Sequence, residues 1–362
     1  MVNLSDIKPL FYAARFFGCA PHRVTDSDVL LTTSGLIYSG IWALGFVCCC
    51  CYGLRLICAG VYTGERNMLA LTAVRTLLAY VCFLADDALT MRWNERLRSA
   101  LLQLRNFDVA VSYGRKRSVN WKLRCCCWML VGTIIAYWIG VGYVTYKCEM
   151  TNPLFNAITY VIANAAISMQ LIKFAGLLIL LRQRFRYLRE LLPLEAAHPN
   201  SARRAIQLQD IWWLHCSLAN AAETINSCYS LQLLLWIFTM WLNALSRIYA
   251  MNETLVDSGQ FLLMLRESLL VTACIGNLML IALACHYTAR EANSVGRAAF
   301  APQTSFSRKR SLLEHSLEVG VYFSLRQLHF SAAGGFIQVD LPLLLSIAGA
   351  MTTYLVVLHN NS

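Results

Sequence analysis

The sequence predicts an all-α membrane protein with seven transmembrane helices, on three observations. Of its 362 residues, 57% are hydrophobic and only 14% charged, with a mean hydropathy of +0.50, whereas soluble domains carry roughly 25% charged residues. Crossing a hydrocarbon core of about 30 Å takes roughly 20 apolar residues. Runs of that kind recur at 33–59, 68–88, 125–146, 154–181, 227–246, 260–286 and 336–358. Finally, most of the 31 Lys and Arg residues fall in alternate connections between those runs.

Residues 1–32 carry Lys8, Arg15 and Arg23 but lack the basic, apolar and small-residue pattern of a removable leader. They are therefore expected to stay as a segment of the mature chain, with the first span directing insertion. The connection after span two, 89–124, holds Arg92, Arg96, Arg98, Lys116 and Lys122. The one after span four, 182–226, begins with Arg182, Arg184, Arg186 and Arg189, and 287–335 adds Arg290, Arg297, Lys309 and Arg326. Seven spans put all of these on one side, which the positive-inside rule makes cytoplasmic. The N-terminus is then intracellular, and 359–362 form an extracellular tail. The Asn252 sequon falls in a short outer connection and is a glycosylation candidate, while the Asn3 sequon faces inward and should stay unmodified. A pI near 9.0 thus reflects topology and the anionic inner leaflet rather than a nucleic-acid partner.

The inner connections are not featureless. Leu97, Leu101, Leu104 and Val111 recur at helical spacing with charges between them, and 182–195 continues span four as an amphipathic helix. Long helices projecting into the cytosol would pack as an intracellular domain, or else lie separately on the inner leaflet. Most of the 15 cysteines sit inside apolar runs, as at Cys48 to Cys51, and read as small buried hydrophobes. Cys125 to Cys127 flank a basic stretch and are also candidates for palmitoylation, and Cys58 and Cys148 for a bridge near the outer face.

Enzyme chemistry finds no support. The seven His residues lack the paired spacing of a metal site, and no phosphate-cradling Gly loop or serine elbow occurs. No metal, cofactor or catalytic residue is expected. Paired broken helices, as in many transporters, are also missing.

The final run, "LPLLLSIAGAMTTYLVVLHNNS", is unlike a plain anchor. Asp340 can cap its first turn, and Pro342 stands where a missing N–H costs nothing. Ser346, Gly349, Thr353, Val357 and Asn360 share one stripe, and Leu344, Ile347, Met351 and Leu355 lie on other faces. Such a stripe fits close packing on another helix. It also fits a water-filled path with an apolar constriction at Val357 and a polar mouth at Asn360.

The same stretch resembles the carboxy-terminal signature of insect gustatory receptors, in which Thr-Tyr precedes five apolar residues and Gln-Phe. Thr353, Tyr354 and Leu355 to Leu358 match, as do Gly335, Phe336, Asp340, Ser346, Ile347 and Gly349 upstream. His359 takes the fifth apolar position, Asn360 replaces the Gln, and Asn361 replaces the Phe. The resemblance implies a tastant-gated cation channel in the plasma membrane of sensory neurons. It would be a homotetramer, or a heterotetramer with other gustatory receptor subunits, with the seventh helix of each subunit around the pore. Val357 would stand at the gate, Asn360 and Asn361 at the mouth, and Thr353 and Tyr354 on the pore helix. Residues 33–286 would form the ligand-sensing bundle and 287–335 an intracellular anchor. The small-molecule ligand would bind among the outer halves of spans two to six, where Trp138, Tyr160, Asn164, Trp236, Trp241 and Glu267 offer stacking and hydrogen bonds. The aromatic residues also suit plain packing. Glu267 is an intramembrane acid that calls for a partner; Arg266, adjacent in sequence, does not share its face. Lys173 is either a snorkelling or a paired group. A bitter or contact-chemosensory ligand fits the chain's length best. The competing readings are a seven-helix G-protein-coupled receptor, whose outside N-terminus opposes the charge pattern, and a transporter.

Overall fold

A computed structural model describes residues 4–25, 29–58, 66–111, 121–148, 152–196, 201–256, 261–299 and 310–360. The chain opens with a turn at Leu4–Asp6, helix α1 (Lys8–Phe16), and an antiparallel hairpin of β1 (His22–Val24) and β2 (Val29–Leu31) with His22 opposite Leu31. Helices α2 (Thr33–Cys58), α3 (Arg66–Arg92), α4 (Asn94–Val111) and α5 (Trp121–Cys148) follow. Next come α6 (Pro153–Ala196), α7 (Ser201–Val256), α8 (Phe261–Ala299) and α9 (Arg310–Leu325). A second small ladder, β3 (Ser331–Ala332) with β4 (Ile337–Gln338), leads into α10 (Leu341–Asn360).

The predicted all-α architecture is present, and each apolar run lies on a helix. Among the described residues, α2, α5, α6, α7 and α8 are long and apolar enough to cross a membrane, and Leu341–Val356 of α10 adds a shorter apolar stretch. Helix α3 carries the second apolar run, with Arg75 inside it and Asp86 and Asp87 toward its end. Several helices overrun their apolar runs, because charged residues of good helix propensity continue them into water. Span seven is shorter than its run: 336–340 form β4 and a cap, in which Leu343 N donates to Asp340 Oδ1 at 3.2 Å. The two ladders were not anticipated, since two- and three-residue strands leave no periodicity to read. In the second, Gly334 and Gly335 take φ of +67° and +109°, values that favour a residue without Cβ.

Helix α6 is the core of the bundle. Its residues 165–178 are buried throughout, packed by α5, α7, α8 and α1. A Cβ on Gly176 would lie 2.6 Å from Leu10 Cδ1, so the missing side chain lets α1 dock. Gln170 fixes the same junction by donating to Cys19 O at 2.6 Å. His22 Nε2 meets Asn94 Oδ1 at 2.7 Å, and burial pushes its imidazole down to about 4, leaving the ring neutral at physiological pH. At the other extreme, α2 turns Ile37, Ile41 and Leu44 outward, as a bundle surrounded by lipid would. Cys48 and Cys51 share that exposure, so these two are not the buried hydrophobes expected; Cys125 and Cys126 are exposed on α5. The side chain of Cys58 lies outside the described residues, and with it the bridge to Cys148.

The basic extensions of the long helices pack together. Leu97, Leu101 and Leu104 of α4 are buried, as their spacing predicts, with α4 lying on α7. Across α4 and α6, Arg184 grips Asp108 through Nε at 2.9 Å and Nη2 at 2.7 Å, both side chains almost fully buried. His215 of α7 meets the Tyr322 hydroxyl of α9 at 3.1 Å. The segment between α9 and α10 is pinned by amide side chains. Asn293 both donates to Leu328 O and accepts from Leu328 N. Asn226 Oδ1 accepts from Ser331 N, and Ser230 Oγ from Gly334 N.

Candidate functional site

Six helices converge on a cavity of about 150 Å³. Its apolar wall comes from Ala79, Tyr80, Phe155, Ala163 and Leu270, and its polar wall from Thr76, Thr145, Asn156, Asn164 and Asn243. Helical periodicity puts Asn156, Thr159, Tyr160, Ala163 and Asn164 of α6 on one face toward it. The amides partly satisfy themselves: Asn164 Nδ2 donates to Tyr160 O and Asn243 Nδ2 to Thr239 O.

The unusual lining is cationic. Arg75 of α3, Arg247 of α7 and Arg266 of α8 all border the cavity. Arg247 is almost fully buried, with Nη1 on Glu267 Oε2 at 2.5 Å and Nη2 donating to the Tyr160 hydroxyl at 2.5 Å. Its guanidinium also stands 5.4 Å from the Tyr160 ring centroid. Arg266 reaches Glu267 Oε1 at 2.7 Å. Sequence adjacency was expected to keep those two apart; a long guanidinium stem spans the angle between neighbouring helical positions. Glu267 thus has two partners, one of them from the preceding helix.

The predicted ligand residues divide. Tyr160 and Asn164 line the cavity, and Glu267 stands behind its arginines. Trp138 is buried between α5 and α6, its indole donating to Ser168 Oγ at 3.1 Å. Trp236 is fully buried and donates to Asp86 Oδ2 at 2.7 Å. Trp241 makes an edge contact with Tyr354 of α10, ring centroids 5.8 Å apart. Lys173 does not snorkel: it is 1% exposed, within electrostatic reach of Asp86 and Asp87 and 6.0 Å from the Tyr229 ring centroid. Sequence reasoning passed over Arg75 and Arg247 and named Arg266 only as the neighbour of Glu267. Their signal was available, as basic residues inside or at the rim of apolar runs, the exceptions to the charge pattern used for orientation.

Helix α10 packs on α7 and α8 with one side only. Leu343, Leu344, Ile347, Met351 and Leu355 are half-buried there, whereas Ser346, Gly349 and Thr353 are exposed. A Cβ on Gly349 would meet nothing within 4 Å. The Ser346 and Thr353 hydroxyls donate to carbonyls one turn back, Pro342 O and Gly349 O, and so tolerate either water or a neighbouring helix. The side chains of Val357, Asn360 and Asn252, and the whole of Asn361, lie outside the described residues.

A family model described as 7tm Chemosensory receptor matches residues 7–359. No curated protein is a significant match. Among solved structures, the insect olfactory receptor OR5 from Machilis hrabei is similar over 97% of both chains, with a TM-score of 0.69 and 15% identity. The structure of that receptor in complex with eugenol is similar over 98% of both chains, with a TM-score of 0.70 and 17% identity.

Proposed function

Since the chain belongs to the 7tm chemosensory receptor family, a family of receptors rather than enzymes, we propose that it is a gustatory receptor subunit acting as a tastant-gated, non-selective cation channel. The observation that carries this reading is the double character of α10. Its apolar side is seated on its own bundle, and its small and polar side, Ser346, Gly349 and Thr353, has no partner helix among the described residues. Four subunits around an axis, alike or mixed with other gustatory subunits, would turn those faces toward a shared path. Val357 would then narrow the path as an apolar gate, and Asn360 and Asn361 would line its mouth.

The ligand site of this proposal is the cavity between α2, α3, α5, α6, α7 and α8, with Tyr160, Asn164 and Arg247 on its wall. The similar-fold OR5 holds eugenol, which supports a small organic ligand for this chain too. For ligand to open the pore, it must bind the open state better than the closed one. The route runs along α7, which carries Asn243 and Arg247 at the cavity and Trp241 against Tyr354 of α10. Trp138 and Trp236 act as packing residues in this scheme. The basic segments keep the N-terminus in the cytosol, the packed extensions with 287–335 form the intracellular anchor, and Asn252 carries the outer glycan. The native setting is the plasma membrane of a sensory neuron responding to a bitter or contact-chemosensory compound.

Whole-cell recording of the expressed chain, alone and with a partner subunit, tests the proposal against a tastant panel. Ligand-evoked cation current, altered in conductance by Val357→Ala and Asn360→Ala, is the expected result. A response carried only by G-protein activation, with no current, overturns it.

A further inference from the structure

We infer that the cavity selects small organic anions, in particular carboxylates attached to an apolar group. This rests on the cavity being the ligand site, as proposed above, and goes on to the ligand's chemical class. Three guanidinium groups border the cavity, and among the described residues Glu267 is the acid set against them, its two oxygens taken by Arg247 and Arg266. Arg75 makes no hydrogen bond or ion pair among the described residues. Arg247, 2% exposed, keeps its Nε without a partner. Buried charges are normally paired, and attraction between charges strengthens as water is excluded. The cavity wall therefore carries an excess of positive charge that an anionic ligand can offset.

Arginine suits that task, because its planar fork meets a carboxylate with two parallel N–H bonds. The rest of the wall fits the other end of such a molecule, with Phe155, Ala79, Ala163 and Leu270 offering apolar contact. Sites for drug-sized ligands run to roughly 300–1,000 Å³, so a cavity of about 150 Å³ takes a smaller molecule. Among the described residues the three guanidinium groups outnumber Glu267, so a cationic ligand would be repelled.

The test measures calorimetric binding of benzoate and phenylacetate, each against its neutral amide, to the full chain in lipid nanodiscs. Each carboxylate should bind at least tenfold tighter than its amide. Arg75→Gln should remove that preference, a monodisperse size-exclusion peak showing an intact fold; Arg75→Lys, which keeps the charge but not the fork, should retain only part of it. Equal binding of acid and amide, failure of both acids to bind at millimolar concentration, or an unchanged preference in Arg75→Gln each overturns the inference. Parallel recordings separate it from the channel reading. Carboxylate-selective binding without current sinks the channel and leaves the anion site standing. Currents evoked equally by acids and amides sink the anion site alone.

Discussion

At the scale of single residues, the charged groups inside the molecule divide by what surrounds them. Glu267 stood out in the sequence because an acid inside an apolar run is costly unless paired. Its main partner was not legible, since Arg247 lies on the preceding helix and only the packing of α7 against α8 brings the two within 2.5 Å. Arg184 and Asp108 make the same point at the basic end of the bundle, 76 positions apart and joined by two hydrogen bonds. Removing one member of a buried pair costs about 3–5 kcal/mol, whereas replacing both by apolar residues is often neutral. Arg184→Met should accordingly lower the thermal midpoint of the purified receptor markedly. The double replacement Asp108→Leu with Arg184→Met should recover most of that loss. Equal midpoints for wild type and Arg184→Met would show that the pair contributes nothing to stability.

At the scale of elements, α10 was the best-read helix and also the one whose surroundings the sequence left open. Its cap at Asp340 and its division into a small-polar stripe and an apolar side follow from 3.6-residue periodicity. The helix that the apolar side meets did not follow from it. Trp241 was a ligand candidate by residue type, yet its ring lies against Tyr354 on α10. An aromatic pair contributes about 0.5–1.5 kcal/mol beyond its buried area, enough to move a gating equilibrium up to about tenfold. Trp241→Ala should therefore shift the dose–response curve for current by up to about tenfold and change the maximal open probability at saturating ligand. A shifted curve with an unchanged maximum would return Trp241 to the ligand site. The amide clamps of Asn226 and Asn293 on the segment before α10 were invisible in the sequence, because nothing local distinguishes a clamping Asn from a solvated one.

At the scale of the whole molecule, the exposed side of α10 is a surface that the described residues leave uncovered. If it faces copies of itself, as proposed, enlarging it should disturb assembly without disturbing the subunit. Gly349→Leu should leave the monomer folded but reduce the tetramer seen by native mass spectrometry in detergent, and abolish current. A tetramer of unchanged abundance would place the Gly349 face against lipid. Arg75, Arg247 and Arg266 also belong to this scale: they come from three helices, and only assembly of the bundle makes them one site.

The sequence by itself determined the class of molecule and where its long apolar helices lie. Apolar length and 3.6-residue periodicity are local properties, and so are caps such as Asp340. Its basic segments also carried the orientation now proposed, because that pattern depends on position along the chain alone. Only the tertiary structure decided which residues share the cavity, what neutralises Glu267, and which side of α10 is left outward. Each of these depends on contacts between helices far apart in sequence, where side-chain reach and close packing select partners that no local pattern specifies.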